Sequence, residues 1–410
     1  MKLDSYEKVV GGVAVSQLRQ LATELAGARV VHVNSTREGG GVAEILRWLV
    51  PLMNDLGLHA SWEVVEGHAD FFNVTKAFHN GLQGNPVVLT QKMLDVYQET
   101  VAANADRLRP VLEEADFVII HDPQPAFLIG LCPERKGRWV WRCHIDVSRP
   151  YRKVWRYLKS SISQYDASIF SMPDFAQRVD HPQFIIAPSI DPLSEKNREL
   201  PPPEIEAMAK QFGLSQDLPV ITQVSRFDRF KDPIGVIQSF NMLNRSVEAQ
   251  LVLAGGGASD DPEGAMVLEE VQAAAQGNDH IFVLMLPSDA HRIINALQRS
   301  STIVIQKSLQ EGFGLTVTEA MWKSKPVIGG NVGGIRLQVH NYHTGFLVDS
   351  PEGAALRLRE LLQHPEACMR MGSTAREFVR LNFLLTRHLR EYLTLMLALR
   401  CGVESHLLAV

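Results

Sequence analysis

Residues 311–323, EGFGLTVTEAMWK, decide how this chain is read. They set Glu311 and Glu319 on either side of a short turn holding Gly312 and Gly314, residues free to take backbone angles closed to others. Leu315 to Lys323 reads as a helix, with Leu315, Ala320, Met321 and Trp322 as its apolar surface. The run before the turn, Thr302 to Gln306, reads as a buried strand. Strand, glycine turn, helix is an order that aims unpaired N–H groups and the positive end of a helix at whatever occupies the turn. A sugar carried on a phosphate suits it. An ordinary surface turn with two glutamates fits the same letters, so the rest of the chain must decide.

Working outward, the second half repeats that pattern. Pro219 to Val224 reads as a strand, Ser225 to Pro233 as a connection, and Ile234 to Leu243 as a helix. The connection carries Arg226 and Lys231, two cations suited to a diphosphate. It also carries Asp228, Arg229 and Asp232, a mixture equally at home in a solvated turn. Strand 250–254 runs into Gly255, Gly256 and Gly257. Strand 281–286, helix 290–299, a strand end at 326–330 with Gly333 and Gly334, and strand 345–349 follow. Helices fill the remainder, ending with an amphipathic stretch over 386–399.

The first half starts with a helix over 14–26 and the strand Arg29 to Asn34. Gly39, Gly40 and Gly41 then precede a helix whose apolar residues, Val42, Ile45, Leu46, Leu49, Met53 and Leu56, recur at helical spacing. Three glycines exceed the needs of a tight turn and point to a phosphate or sugar. The loop lacks GxGxxG and GK[ST], so it does not indicate NAD or ATP. After strand 59–66, residues 70–85 mix aromatics and amides. They suit either a sugar-lining segment or a helix packing Phe71, Phe78 and Leu82 inward. A helix over 91–112 follows. Strands 116–121 and 139–146 end in His121 with Asp122 and in His144 with Asp146. Ligands of open parallel sheets bind at such strand ends, and the spacing is not that of a metal site. Strands 167–172 and 184–187 complete this half, and prolines at 188, 192 and 201–203 mark a hinge.

The expected fold is α/β, with two Rossmann-like domains facing a central cleft. The expected domains are 1–190 and 191–387, with a final helix at about 388–410 packing back on the first. A formal net charge of -5 argues against broad nucleic-acid binding. Four widely spaced cysteines read as reduced thiols, and no stretch approaches transmembrane length. A cytoplasmic enzyme or binding protein without a membrane partner is expected.

The spacing Glu311 to Glu319 resembles the EX7E motif of retaining glycosyltransferase family 4, whose fold is GT-B. VSRFDRFKD resembles that family's diphosphate clamp. HVNST, GGGVAEIL, FFNVTKAFHNGLQGN, HDPQPA, WRCHID and PSIDPLSEKN bring the resemblance closer, to the trehalose glycosyltransferring synthases. It runs from about Val30 to the final helix, and it implies that the acceptor binds the first domain and the nucleotide-sugar donor the second. It implies transfer of glucose from a nucleoside diphosphate glucose, such as UDP-glucose or ADP-glucose, to free glucose, giving trehalose. By the same resemblance, Glu311 contacts the transferred glucose, Glu319 bonds the ribose, and Arg226 and Lys231 hold the leaving diphosphate. Gly312, Phe313, Gly314 and Leu315 offer backbone N–H groups. Gly40 and Gly41 let the backbone approach the donor phosphates, His144 bonds a donor hydroxyl, and Asp146 lies in the same region. No metal site and no obligatory cofactor are implied, with Mg2+ admitted through the donor diphosphate, and a homodimer is allowed. The nearest rivals are a trehalose phosphorylase, which uses phosphate or glucose 1-phosphate, and a family 4 transferase with another acceptor. A membrane-facing patch for a lipid-linked acceptor has one candidate, Arg152, Lys153, Arg156 and Lys159 with Trp155 and Tyr157, which reads as an ordinary helix face. A sugar-nucleotide binder leaves Glu311 and His144 unused, and an oxidoreductase lacks its glycine fingerprint.

Overall fold

Short apolar strands, each followed by a helix or loop that returns to the same edge, build two parallel sheets. The computed structural model describes residues 2–38, 40–243, 247–256, 262–402 and 407–409, so Gly39 and Gly257 of the glycine runs lie outside the described residues. The chain divides into two units: Met1–Ser189 with Leu385–Val410, and Ile190–Leu384.

In the first unit, β1 (Arg29–Asn34), β2 (His59–Val64), β3 (Phe117–His121), β4 (Arg138–Arg142), β5 (Ala167–Phe170) and β6 (Gln183–Ile185) lie parallel in the order β6-β5-β4-β3-β1-β2. Every residue of β3 is buried, the mark of a strand covered on both faces. The helix Gly41–Asp55 covers one face with Ile45, Leu46, Leu49 and Met53. The strand order reverses between β1 and β3, the position where such sheets open a ligand crevice.

The second unit carries β7 (Val220–Val224), β8 (Gln250–Gly255), β9 (Ile281–Met285), β10 (Ile303–Gln306), β11 (Val327–Gly330) and β12 (Gly345–Val348), in the order β12-β11-β10-β7-β8-β9. Its core joins Ile221, Leu251, Ile303, Ile328 and Phe346 to Val236 and Phe240 of the helix Pro233–Leu243. Here the order reverses between β7 and β10.

The helix Leu385–Cys401 belongs to the first unit and packs on the helices Gly12–Thr23 and Gly41–Asp55. The expectation of helix to residue 410 is corrected. Gly402, at φ 82, ends the helix in the left-handed region, and β13 (Leu407–Ala409) pairs parallel to β6. Two further expectations change. The strand expected over 139–146 ends at Arg142, because Asp122 Oδ1 accepts the His144 N–H at 2.7 Å and draws the chain out of the ladder. His144 and Asp146 therefore sit in the following loop. The triple proline does not break structure: Pro202 and Pro203 open the helix Pro202–Gln211, where the first N–H groups need no partner. Residues 70–85 form the helix Ala69–Leu82 with Phe71, Phe78 and Leu82 buried, which is the core-packing alternative. The helix Arg152–Ile162 buries Val154, Leu158 and Ile162 and leaves Arg152, Lys153 and Arg156 exposed. No helix among the described residues is long and apolar enough to cross a membrane.

Candidate functional site

In the second unit, the loops after β7 and β10 meet at the reversal of strand order. Lys231 Nζ, from the first, lies 2.6 Å from Glu311 Oε2, from the second, with side chains 17% and 11% exposed. The two loops are also tied through the backbone, Leu309 N–H donating to Phe230 O at 2.8 Å. Gln223, buried in β7, donates from Nε2 to Lys231 O at 2.7 Å and fixes the approach of the lysine. Asp228 accepts the Phe230 N–H at 2.7 Å, shaping the short turn Arg229–Lys231. Lys307 pairs with Asp232, which itself holds a left-handed φ of 51. A partly buried cation and carboxylate held this way are costly to separate, since either alone is left without its counter-charge.

The glycine turn is built by close backbone approach. Gly314, at φ 83, caps the helix Leu315–Trp322. Gly334 N–H donates to Gly312 O at 3.0 Å. Gln338 is fully buried and donates from Nε2 to Phe313 O at 2.6 Å and Gly334 O at 3.2 Å, while Thr318 Oγ1 donates to its Oε1 at 2.6 Å. A Cβ on Gly333, whose φ is 45, would lie 1.7 Å from Glu311 O. Gly27, at φ 77, has nothing within 4 Å of its Cβ position. Gly27→Ala therefore carries backbone strain alone, about 1 kcal/mol, whereas Gly333→Ala adds a backbone overlap and costs about 3 kcal/mol or more. Urea unfolding of both variants checks this; equal losses would mean that the Glu311 loop is not held by this contact.

Glu319, on the same helix, is 2% exposed, with Lys196 Nζ 3.4 Å from its Oε1. Lys323 Nζ donates to Glu319 O at 3.1 Å and Asn197 Oδ1 at 3.0 Å. Burial pushes the Lys323 ammonium down to about 7, against the opposing pull of Glu319.

In the first unit, Gly40 caps the helix Gly41–Asp55 at φ 80, with open space around its Cβ position. Beside it, Arg37 donates to Trp62 O at 2.8 Å and lies over the Trp62 ring. The charged approach to the glycine run is thus anchored to β2. His144, half-buried, takes its place from Asp122, a non-glycine residue at φ 64. Burial raises the Asp122 carboxyl to about 6, against the His144 N–H and Arg142. Asp146 Oδ1 accepts the Ser148 N–H at 2.9 Å and its hydroxyl at 2.6 Å, so it caps its own loop. Behind His144, His121 and His32 run into the core, beside Arg142, His388 and Tyr392.

The chain is 45% identical over 400 residues to a trehalose synthase of Pyrococcus horikoshii, covering 96% of both. It belongs to the trehalose synthase family. Residues 32–177 match the model of the trehalose synthase N-terminal domain, and residues 204–378 that of glycosyl transferases group 1. A trehalose synthase of Rubrobacter xylanophilus is 43% identical with the same coverage. A trehalose phosphorylase of Pleurotus pulmonarius is 28% identical over 92% of this chain and 58% of its own length. Among solved structures, a trehalose-6-phosphate synthase superposes with TM-score 0.73 at 14% identity, over 92% of this chain and 100% of that one. A sucrose-phosphate synthase from Thermosynechococcus elongatus gives TM-score 0.70 at 17% identity, over 91% and 99%. At such identity the likeness shows the fold, which is the α/β two-domain GT-B fold, and the family makes this a trehalose-related glycosyltransferase.

Within this family member, the residues singled out by sequence are placed unequally. Lys231 and Glu311 come together. Arg226 is largely exposed, with Asp228 at 3.3 Å. Gly312, Phe313, Gly314 and Leu315 form the turn and helix start, and Phe313 is buried against Phe383. Sequence reasoning missed Gln338, which lies beyond the turn and carries no motif, and it quoted Lys323 and Lys196 within EGFGLTVTEAMWK and PSIDPLSEKN without giving either a role. It named His121 only as a strand end and passed over His32, which reads as one letter of an apolar strand.

Proposed function

We propose that the chain is a retaining glucosyltransferase of family 4 that makes α,α-trehalose from a nucleoside diphosphate glucose and free glucose. The observation that carries this reading is the Lys231–Glu311 pair at the strand-order reversal, in a chain of the trehalose synthase family. Lys231 and Arg226 neutralise the charge that grows on the leaving diphosphate, the largest electrostatic demand of the step. Glu311 holds Lys231 in place and sets a carboxylate beside the sugar, favouring positive character at its anomeric carbon. The acceptor's anomeric hydroxyl attacks that carbon from the face the diphosphate leaves. The C1–O bond to phosphate breaks, the new C1–O bond forms, and the acceptor's proton passes to the departing phosphate oxygen.

Glu319 is assigned to the ribose, the N–H groups of residues 312–315 to sugar and phosphate, and Gly40 and Gly41 to the donor phosphates. His144 is assigned to a hydroxyl of the transferred glucose, and Asp146 to the neighbouring loop. Among the described residues no group of three or more His, Cys, Asp or Glu side chains is arranged to hold a metal. Magnesium in this reading enters on the donor's own phosphates and is not obligatory. A cytoplasmic homodimer is part of the same proposal, and sedimentation tests the dimer.

The test incubates the protein with glucose and, separately, UDP-, ADP- and GDP-glucose, with glucose 1-phosphate in a parallel reaction. Trehalose with stoichiometric release of nucleoside diphosphate is expected. Trehalose from glucose 1-phosphate alone would replace the synthase reading with a phosphorylase. No trehalose from any donor would end the acceptor assignment.

A further inference from the structure

Three imidazoles in the first unit form one hydrogen-bonded line. His32 Nδ1 lies 3.0 Å from His121 Nε2, and His121 Nδ1 lies 3.0 Å from His144 Nε2. The rings are stacked, with centroids 5.3 Å apart at both steps and interplanar angles of 29° and 16°. The line starts on β1, crosses the end of β3 and reaches the loop after β4, so it runs from the core across the reversal of strand order.

A neutral imidazole carries one N–H, and each ring here is held neutral. Burial pushes His32 down to about 3, and pushes His121 and His144 well below the usual range, with Arg142 adding to both. The groups facing the line are Arg142 from β4, Asp122 after β3, and His388, Tyr392, Arg387 and Glu391 from the helix Leu385–Cys401. Two neutral-ring bonds in series leave two self-consistent arrangements. Either every ring donates from Nδ1, toward His144, or every ring donates from Nε2, toward the core. In the second, His32 would bury an Nε2–H. That atom is inaccessible, and among the described residues no hydrogen-bond partner reaches it. Buried N–H donors without partners are rarer than under-satisfied acceptors, so the first arrangement is favoured.

We propose that His32 and His121 are positioning residues that lock the tautomer of His144, making its Nε2 the acceptor of His121 and its Nδ1 the proton-bearing nitrogen. The ring nitrogen that carries the proton is set by the bond the other one makes. Here that setting is made two residues away, at an atom with no access to solvent. The consequence for catalysis rests on the assignment of His144 to the transferred sugar: the proton-bearing Nδ1 is then the sole ring donor His144 can offer, and the other face is already used.

The test reads tautomers directly, by nitrogen-15 NMR of histidine-labelled full-length protein at pH 7 without substrate. His32, His121 and His144 are expected as single Nδ1–H forms. An Nε2–H signal for His144 would overturn the proposal whatever the enzyme's activity. His32→Asp, which places an acceptor where His32 Nδ1 donates, should reverse the line and turn His144 to the Nε2–H form, and His121→Phe, which removes the donor to His144 Nε2, should give a mixture of His144 tautomers. An unchanged His144 in either variant would overturn the relay; if His32→Asp does not fold, the wild-type spectrum and His121→Phe carry the test. In the transfer assay, His121→Phe should lower kcat about tenfold, one hydrogen bond's worth, with KM for glucose within about twofold. Lost tautomer selection with unchanged kcat would overturn the positioning role, while tautomers as expected in a protein that makes no trehalose would count against the proposed function alone.

Discussion

Glu311→Gln should lower turnover by about 10²–10³-fold, the loss seen when one preorganised charge contact to a transition state is removed, while leaving KM for the donor within a few-fold. The variant keeps the shape of the side chain, so the loops after β7 and β10 should still meet. What changes is charge. Lys231 loses the carboxylate 2.6 Å away and is left partly buried and unmatched. Because the two side chains act as one unit, Lys231→Met in the same background should cost little beyond the worse single change. Steady-state kinetics on the two single variants and the double variant check this. Turnover within tenfold of wild type for Glu311→Gln, or fully additive losses, would remove the pair from the centre of the reaction.

The second large effect is on stability in acid. His32, His121 and His388 are completely buried and held neutral, His388 with Nδ1 donating to Ala187 O at 3.0 Å. In the unfolded chain each titrates near 6.5. As pH falls below that value the unfolded state takes up protons that the folded state refuses, so stability is lost with each step toward acid. Between pH 7 and pH 5 each such histidine costs about 2 kcal/mol, or about 6 kcal/mol for the three. His144 pushes the same way. Asp122 opposes: its carboxyl, raised to about 6, protonates in the folded state before it does in the unfolded one and returns about 1 kcal/mol. Glu391, also raised by burial, opposes as well. The net loss is a large share of the 5–15 kcal/mol that holds a typical domain. Urea titrations at pH 7, 6 and 5 should show a steep fall, and His32→Phe should reduce its slope by about one proton. A flat profile across that range would mean that the buried histidines gain protons without unfolding.

The sequence made strands and glycine turns legible because burial on both faces leaves continuous apolar runs such as FVIIH in β3. Glu311 and Lys231 stood out because both follow such runs and precede helices. Features that depend on two distant segments were not legible. Gln338 braces the 311–314 turn from beyond β11 and shows no pattern of its own. The proline run misled because the same residues that end regular structure also start a helix well. β13 was hidden because three apolar residues after a helix carry too little periodicity to separate strand from helix. His32 was hidden by its place inside β1, where alternation says only that it points to a face.

The return of residues 385–401 to the first unit has a consequence for biosynthesis. A ribosome delivers β1 to β6 early, yet the helix that completes their unit emerges only after Ile190–Leu384 has been made. At ordinary elongation rates that interval is roughly 10–40 s. For that time the nascent first unit lacks the cover that the helix gives to Gly12–Thr23 and Gly41–Asp55, and it lacks His388 and Tyr392 beside His32. The later-made unit has all its strands in one stretch and can close first. A nonsense change near the end of the message would therefore damage the half that was translated first, leaving its sticky faces to chaperones.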